Sequence, residues 1–287
     1  RIVPLYVLVL TVLLFMLPAL GQSTPTLDKD REHQVWLWLY LTNWDPYFAH
    51  GRSVVNHFWS LAVEEQFYLL WPFLVRRVTP DRLLPACVAI AVGSLAWRVV
   101  QVGQGTDPEL IYVSTLARFD ALALGAAVAA VAGVPRVWQQ AVAHRRWIWP
   151  IVGGLSVLGV FATAGIYPRT SPLGQVVGYG WLSVTFALAL LAAVTWERGS
   201  SGPSKTWGQR LLTWRPLTRI GKFSYGIYLI HKPLHDLVVK PWWVSHGIKP
   251  TQSILTATLA LLAETLVYVA LAALLYRFFE RRFLDLR

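Results

Sequence analysis

The apolar residues of this chain come in long blocks, and the polar residues lie mostly between them. Blocks occur at about 3–20, 58–75, 83–102, 114–134, 147–165, 174–196, 220–239 and 252–276. A hydrocarbon core about 30 Å thick needs roughly 20 apolar residues in a helix, so each block is long enough to cross one. A water-facing helix would instead show a narrow apolar stripe with a polar face opposite. The pattern predicts an all-α, polytopic transmembrane helix bundle of about eight spans, a single transmembrane domain over residues 1–287. The stretch 35–48 is apolar and aromatic but short, and Asn43, Asp45 and Pro46 interrupt it. It reads as a re-entrant or interfacial segment.

Composition agrees with lipid as the solvent. Only 14% of the 287 residues are charged and 55% are hydrophobic, whereas soluble domains carry about 25% charged residues. The net charge of +11 would suggest a nucleic-acid partner in a soluble protein, yet the basic residues sit in short loops between blocks. That placement sets orientation, and no nucleic acid is expected. With Arg1 on the cytoplasmic side, sixteen Lys and Arg fall in cytoplasmic loops and six in outer loops, while Arg98, Arg118, Lys222 and Lys232 lie inside blocks. The asymmetry predicts eight crossings of the plasma membrane with both ends of this chain cytoplasmic; a ninth at 35–48 would reverse every later loop. Trp36, Trp44, Trp147 and Trp243 sit near block ends, where amphipathic rings favour the headgroup level. The single Cys87 supplies no disulfide or thiol cluster. With no zinc spacing, phosphate-cradling Gly-rich loop or nucleophile elbow, no metal and no bound cofactor are expected. The chain enters its first span at Arg1-Ile-Val-Pro4 without an initiating Met, which reads as a fragment.

Charged groups inside a span cost about 2.5 to 3.5 kcal/mol each on insertion scales, so they form the functional shortlist. The densest group is His57-Phe-Trp-Ser-Leu-Ala-Val-Glu-Glu-Gln-Phe-Tyr-Leu-Leu-Trp-Pro72. Continued as one helix, it places His57, Ser60, Glu64, Tyr68 and Trp71 within about 80° of arc, with Glu65 a quarter turn from Glu64. Arg118-Phe-Asp120 opens a later span; its two charges are too close in sequence to share a face, so each pairs with another helix. For Arg118 the choice lies between an ion pair, for example with Glu64 or Glu65, and substrate contact. Ser224, Tyr228, His231 and His235 follow helical spacing and form a third polar stripe. By the loop alternation these clusters share one depth, which suggests a common pocket in the outer half of the membrane.

The run from His57 to Pro72 closely resembles the signature of the acyltransferase family 3 membrane proteins. Arg118-Phe-Asp120, Ser224-Tyr-Gly-Ile-Tyr228-Leu-Ile-His231-Lys-Pro233 and Phe279-Glu280-Arg-Arg282 resemble its later motifs in the same order, so the likeness covers essentially the whole chain. It implies a membrane O-acyltransferase that moves an acyl group, usually acetyl from acetyl-coenzyme A, onto a hydroxyl of a sugar, a cell-surface polysaccharide or a secondary metabolite. Arg1-Ile-Val-Pro-Leu-Tyr6 looks like the family's third span. Two earlier spans would then lie upstream, the first carrying the histidine regarded as the family's base, with no counterpart here. Acyl transfer needs a base for the hydroxyl proton and a group for the oxyanion. Glu64, Glu65 and His57 are the catalytic candidates, with one Glu orienting an imidazole. Trp59, Ser60, Gln66, Tyr68, Arg118, Asp120, Ser224, Tyr225, Tyr228 and His231 are the substrate-binding candidates, Arg118 for the coenzyme A phosphates. A transporter or flippase using Glu64, Glu65 or Glu264, or a non-enzymatic scaffold, would also place polar groups in a bundle.

Overall fold

A computed structural model describes residues 2–163, 170–199, 210, 213–247 and 253–284 of the protein. In chain order the helices are α1 Ile2–Ala19, α2 Pro25–Glu32, α3 Gln34–Trp38, α4 Pro46–Ala49, α5 Trp59–Arg77, α6 Pro80–Gly103, α7 Pro108–Val113, α8 Thr115–Gly133 and α9 Pro135–Ala143. They continue with α10 Arg145–Thr163, α11 Tyr179–Gly199, α12 Arg215–Leu234, α13 Lys240–Ser245, α14 Ile254–Leu275 and α15 Arg281–Leu284. Five of them begin on a proline, whose missing N–H costs nothing in a first turn. Side chains fix several of the same starts: Thr24 accepts from the Leu27 N–H at 3.2 Å, Asp45 from Tyr47 at 3.0 Å and Asp107 from Glu109 at 2.9 Å. Short π-helical turns occupy Val12–Met16, Gly174–Gly178, His235–Val239 and Tyr276–Glu280.

All eight predicted blocks form helices, with Leu20, Ser114, Val134 and Ser253 at their ends outside them; residues 164, 165 and 252 lie outside the described residues. Among the described residues five helical segments are long and apolar enough to cross a membrane: Ile2–Ala19, Pro80–Gly103, Pro108–Gly133, Gly174–Trp196 and Ile254–Leu284. The other three blocks form α5, α10 and α12. Of these, α5 carries Glu64, Glu65, Arg76 and Arg77, and α12 carries Arg215, Arg219, Lys222 and Lys232. Lipid as solvent is visible on α14, where Leu255, Leu259, Leu262 and Leu266 each leave more than half their surface uncovered. Water would not tolerate a helix so apolar on its outer face.

Packing divides the chain into two compact units. The first comprises residues 1–35, 52–58 and 206–287. In it α12 packs on α14 and on α1, around Leu5, Tyr6, Leu10, Leu14, Phe58 and Leu229. Gly226 makes the α12–α14 approach possible, because a Cβ there would lie 3.3 Å from the Ala272 Cβ and 3.4 Å from Glu280 Oε1. Asp30, fully buried, accepts from the Val54 N–H at 3.2 Å and so holds the 52–58 segment to α2.

The second unit comprises residues 36–51 and 59–205. Its most extensive helix pair is α6 with α8, and α11 packs on both α8 and α10. The interrupted stretch 35–48 is broken as expected, into α3, a 3₁₀ turn at Thr42–Trp44 and the start of α4. Between them Tyr40 adopts φ 54°, a left-handed conformation uncommon for a residue with a Cβ. Gln66 of α5 donates to the Tyr40 carbonyl at 3.0 Å and stabilises this turn.

Candidate functional site

In the first unit a histidine pair is built around one carbonyl. His57 Nε2 lies 2.9 Å from the Tyr228 carbonyl oxygen, and His231 Nδ1 lies 2.7 Å from the same oxygen. A carbonyl can only accept, so each of those nitrogens carries a proton. In a neutral imidazole the other nitrogen is then a bare lone pair: Nδ1 of His57 and Nε2 of His231. The two rings meet edge to face at 4.7 Å. Tyr228 closes the clamp by donating its hydroxyl to the His57 carbonyl at 2.6 Å, and Phe58 packs against the His57 ring at 4.7 Å. His57 Nδ1 is buried and has no hydrogen-bond partner among the described residues. The clamp sits where α12 turns irregular, since Pro233 cannot donate to the Leu229 carbonyl and a π turn follows at His235.

The rest of the α12 stripe has other work. Ser224 is exposed and donates to the Gly221 carbonyl at 2.8 Å within its own helix. Tyr225 donates to the Ile2 carbonyl at 2.9 Å and ties α12 to α1. Of Ser224, Tyr225, Tyr228 and His231, the last two are the ones that assemble with His57. One turn further on, Glu264 of α14 accepts from Tyr268 at 2.7 Å and lies 3.2 Å from His235 Nδ1, while Lys232 pairs with Asp236. This is how a carboxylate is accommodated in the apolar α14. His57 itself precedes the helix that carries Glu64. It lies in the 3₁₀ turn Asn56–Phe58, and α5 begins at Trp59, so the single-helix arc expected for His57 with Glu64 and Tyr68 does not extend to it.

In the second unit α5 carries Glu64 and Glu65, both half-buried, followed by Gln66 at the centre of a polar ring. Thr115 donates to Gln66 Oε1 at 2.6 Å, Gln66 Nε2 donates to Asn43 Oδ1 at 2.9 Å, and Asn43 Nδ2 donates to the Thr115 hydroxyl at 2.6 Å. With the Tyr40 carbonyl also served, both ends of the Gln66 amide are occupied by protein. Tyr68 leaves 49% of its surface exposed, and Ser60 is half-buried in the first turn of α5. Phe67 stacks on Trp71 at 5.0 Å and meets Phe119 edge-on at 5.6 Å, which locks α5 to α8.

Arg118 stands in an aromatic cage. Its guanidinium carbon lies 3.8 Å from the Tyr179 ring centroid, 4.4 Å from Tyr112 and 5.5 Å from Trp59, distances at which ring faces attract a cation. Nε donates to the Tyr112 carbonyl at 2.7 Å, and Nη2 is buried with no hydrogen-bond partner among the described residues. The cage opens onto a cavity of about 510 Å³ that Ser183 and Phe186 also line. An ion pair of Arg118 with Glu64 or Glu65 is absent among the described residues; stacking takes its place. Asp120 is the residue that forms an ion pair, 2.8 Å from Arg98 Nη1, with both side chains almost fully buried. The Asp120 carboxylate is therefore matched inside the protein.

Several of these partners carried no motif. Tyr112 and Tyr179 look in sequence like interfacial aromatics, and Asn43 and Thr115 like loop and cap residues. Arg98 was visible as a basic residue inside a span, which calls for an acidic partner on another helix.

No solved structure matches the chain. The model of the acyltransferase 3 acyltransferase domain matches residues 1–282. The chain belongs to the acyltransferase 3 family. The chain is 28% identical over 252 residues to a peptidoglycan O-acetyltransferase, OatA, of Listeria monocytogenes, covering 83% of this chain and 39% of that protein. It is 27% identical to an O-acetyltransferase, OatA, of Staphylococcus aureus, covering 85% and 38%. A putative peptidoglycan O-acetyltransferase, YrhL, of Bacillus subtilis is 32% identical over 214 residues, covering 68% and 32%. The chain thus spans about two fifths of the length of the first relatives it matches.

Proposed function

We propose that this chain is the membrane-embedded acyl-transfer part of an O-acetyltransferase. It would take an acetyl group from acetyl-coenzyme A or another acyl-coenzyme A and place it on a hydroxyl of a cell-surface carbohydrate of the peptidoglycan kind. Family membership and the relatives' names support the class. The donor, the acceptor, eight crossings and a plasma-membrane setting with both ends of this chain cytoplasmic are part of the proposal.

The observation that carries the reading is the state of His57. Its Nε2 proton is committed to the Tyr228 carbonyl, and its Nδ1 lone pair is buried and unused. A fixed tautomer with a free nitrogen is what a general base needs. In the proposed step His57 Nδ1 takes the proton as the hydroxyl oxygen attacks the thioester carbonyl. The tetrahedral intermediate collapses with cleavage of the C–S bond, and the imidazolium returns the proton to the departing thiolate. Arg118, caged with its Nη2 unpartnered among the described residues, is assigned to an anionic part of a substrate. Glu64 and Glu65 are assigned to the reaction by the motif they occupy, because unneeded carboxylates are costly in lipid. Gln66 and Asp120 act as positioning residues.

The test uses full-length protein in membranes at matched expression with labelled acetyl-coenzyme A. His57→Gln should lower transfer by about a hundredfold or more, the usual contribution of a general base, with the melting temperature retained. Transfer within threefold of the parent would remove His57 from the reaction. Retained activity in both Glu64→Gln and Glu65→Gln would do the same for the carboxylates.

A further inference from the structure

A second cavity in the second unit, about 570 Å³, is a groove between α6, α8, α10 and α11. Its walls are almost wholly apolar. Val88, Val92 and Val177 leave 47%, 59% and 47% of their surfaces exposed along its open side. One end is different. Arg98, 1% exposed, and Asp120, 3% exposed, form its wall there. On α6 the lining runs from Arg98 through Leu95 and Val92 to Val88, about 15 Å of helix at the usual rise. On α8 Asp120 is followed one turn on by Leu124. The groove is elongated along α6, with the Arg98–Asp120 pair at one end of that run and apolar side chains along the rest.

The polar end is unsaturated. Arg98 Nη1 meets Asp120 and the Ala117 carbonyl at 2.6 Å, but Nε and Nη2 have no hydrogen-bond partner among the described residues. Gly180 brings no side chain over Nη2; a Cβ there would stand 3.5 Å away. A buried N–H without an acceptor is costly, and more so in lipid, where water cannot serve it. The Arg98–Asp120 pair is already neutral, so an anionic acceptor would leave a net charge at low dielectric. A neutral acceptor oxygen carries no such penalty.

We propose that this groove binds one acyl chain of a membrane glycerolipid, with the ester carbonyl accepting from Arg98 and the hydrocarbon lying along Leu95, Val92 and Val88. Lipid tails gain nothing by leaving bulk lipid for an apolar wall. Selectivity therefore comes from the carbonyl, and the groove supplies the fit. The groove shares no residue with the histidine clamp, and the inference does not depend on the acyl-transfer reading.

The test is photolabelling of the full chain in phosphatidylcholine vesicles carrying a lipid with a diazirine in its acyl chain. Parallel vesicles contain phosphatidylglycerol or free fatty acid. Labels from phosphatidylcholine should concentrate on residues 88–98 and 176–184 relative to the lipid-facing surface of α14. Ala91→Phe and Val92→Trp fill the groove without touching the ion pair. Each should lower groove labelling about fivefold, the scale of one hydrogen-bonded contact, and leave α14 labelling unchanged. Even labelling of α6, α11 and α14, or no response to either variant, overturns the site. Labelling by the anionic lipids alone overturns the assignment of a neutral carbonyl.

Discussion

Gln66 separates two accounts of the α5 motif, one in which its amide touches substrate and one in which it holds the helix in place. The Gln66→Ala variant removes the acceptor of the Thr115 hydroxyl and the donor to Asn43 Oδ1 and to the Tyr40 carbonyl. Thr115 and Asn43 are each 6% exposed, so water cannot replace the lost partner. At about 1 to 3 kcal/mol for each polar group left unsatisfied, and with partial relaxation of the Tyr40 turn, the loss should be about 3 kcal/mol. The assay is equilibrium unfolding in detergent, with Asn43→Ala and the double variant closing a thermodynamic cycle. Members of one network should couple by 0.5 to 3 kcal/mol. A loss below about 1 kcal/mol with additive single variants, accompanied by a raised KM for acceptor, would refute the positioning role and restore substrate contact.

The Arg98–Asp120 pair predicts strong asymmetry between single and double changes. Arg98→Met should cost about 3 to 5 kcal/mol because it strands a buried carboxylate, whereas Arg98→Met with Asp120→Leu should recover most of it, as measured by chemical unfolding. Just before the apolar segment Pro108–Gly133, Asp107 accepts from the Glu109 N–H and from His50 Nε2 at 2.8 Å. Those bonds, the backbone one foremost, hold its carboxyl below the ordinary aspartate value of 3.8. Its contribution is therefore complete above that value and is lost as pH falls through the lowered folded value. Asp107→Asn should flatten the acid limb of hydrogen exchange in Pro46–Ala49 and Pro108–Val113, and an unchanged acid limb would dismiss the tether.

Much of this was legible in the sequence because lipid imposes a simple rule. Every backbone group must be satisfied internally, so long apolar runs become helices, and all eight blocks did. Asn43, Asp45 and Pro46 rightly marked the broken segment. Partners were harder to read. Asp120 was expected to pair off its own helix, and it does, with Arg98; for Arg118 the sequence left an ion pair and substrate contact equally open, and three rings stand where the carboxylate partner would. Pairing depends on which helix faces move together, and the period of one helix says nothing about its neighbour. The His57 clamp was hidden for a related reason. Its acceptor is a backbone carbonyl, which every residue has and no motif marks.

The four π turns among the described residues bear on how this chain tolerates change in length. Each fits one residue more than an α turn of the same span, so a one-residue excision there can return the turn to regular α geometry while every later side chain keeps its bearing. The same excision in the middle of α8 would swing Ala127 and Ala130 by about 100° relative to Ala123, off the buried face they share. Alignments of related chains should therefore gather their single-residue gaps at 12–16, 174–178, 235–239 and 276–280, leaving the histidine clamp and the aromatic cage in register on either side.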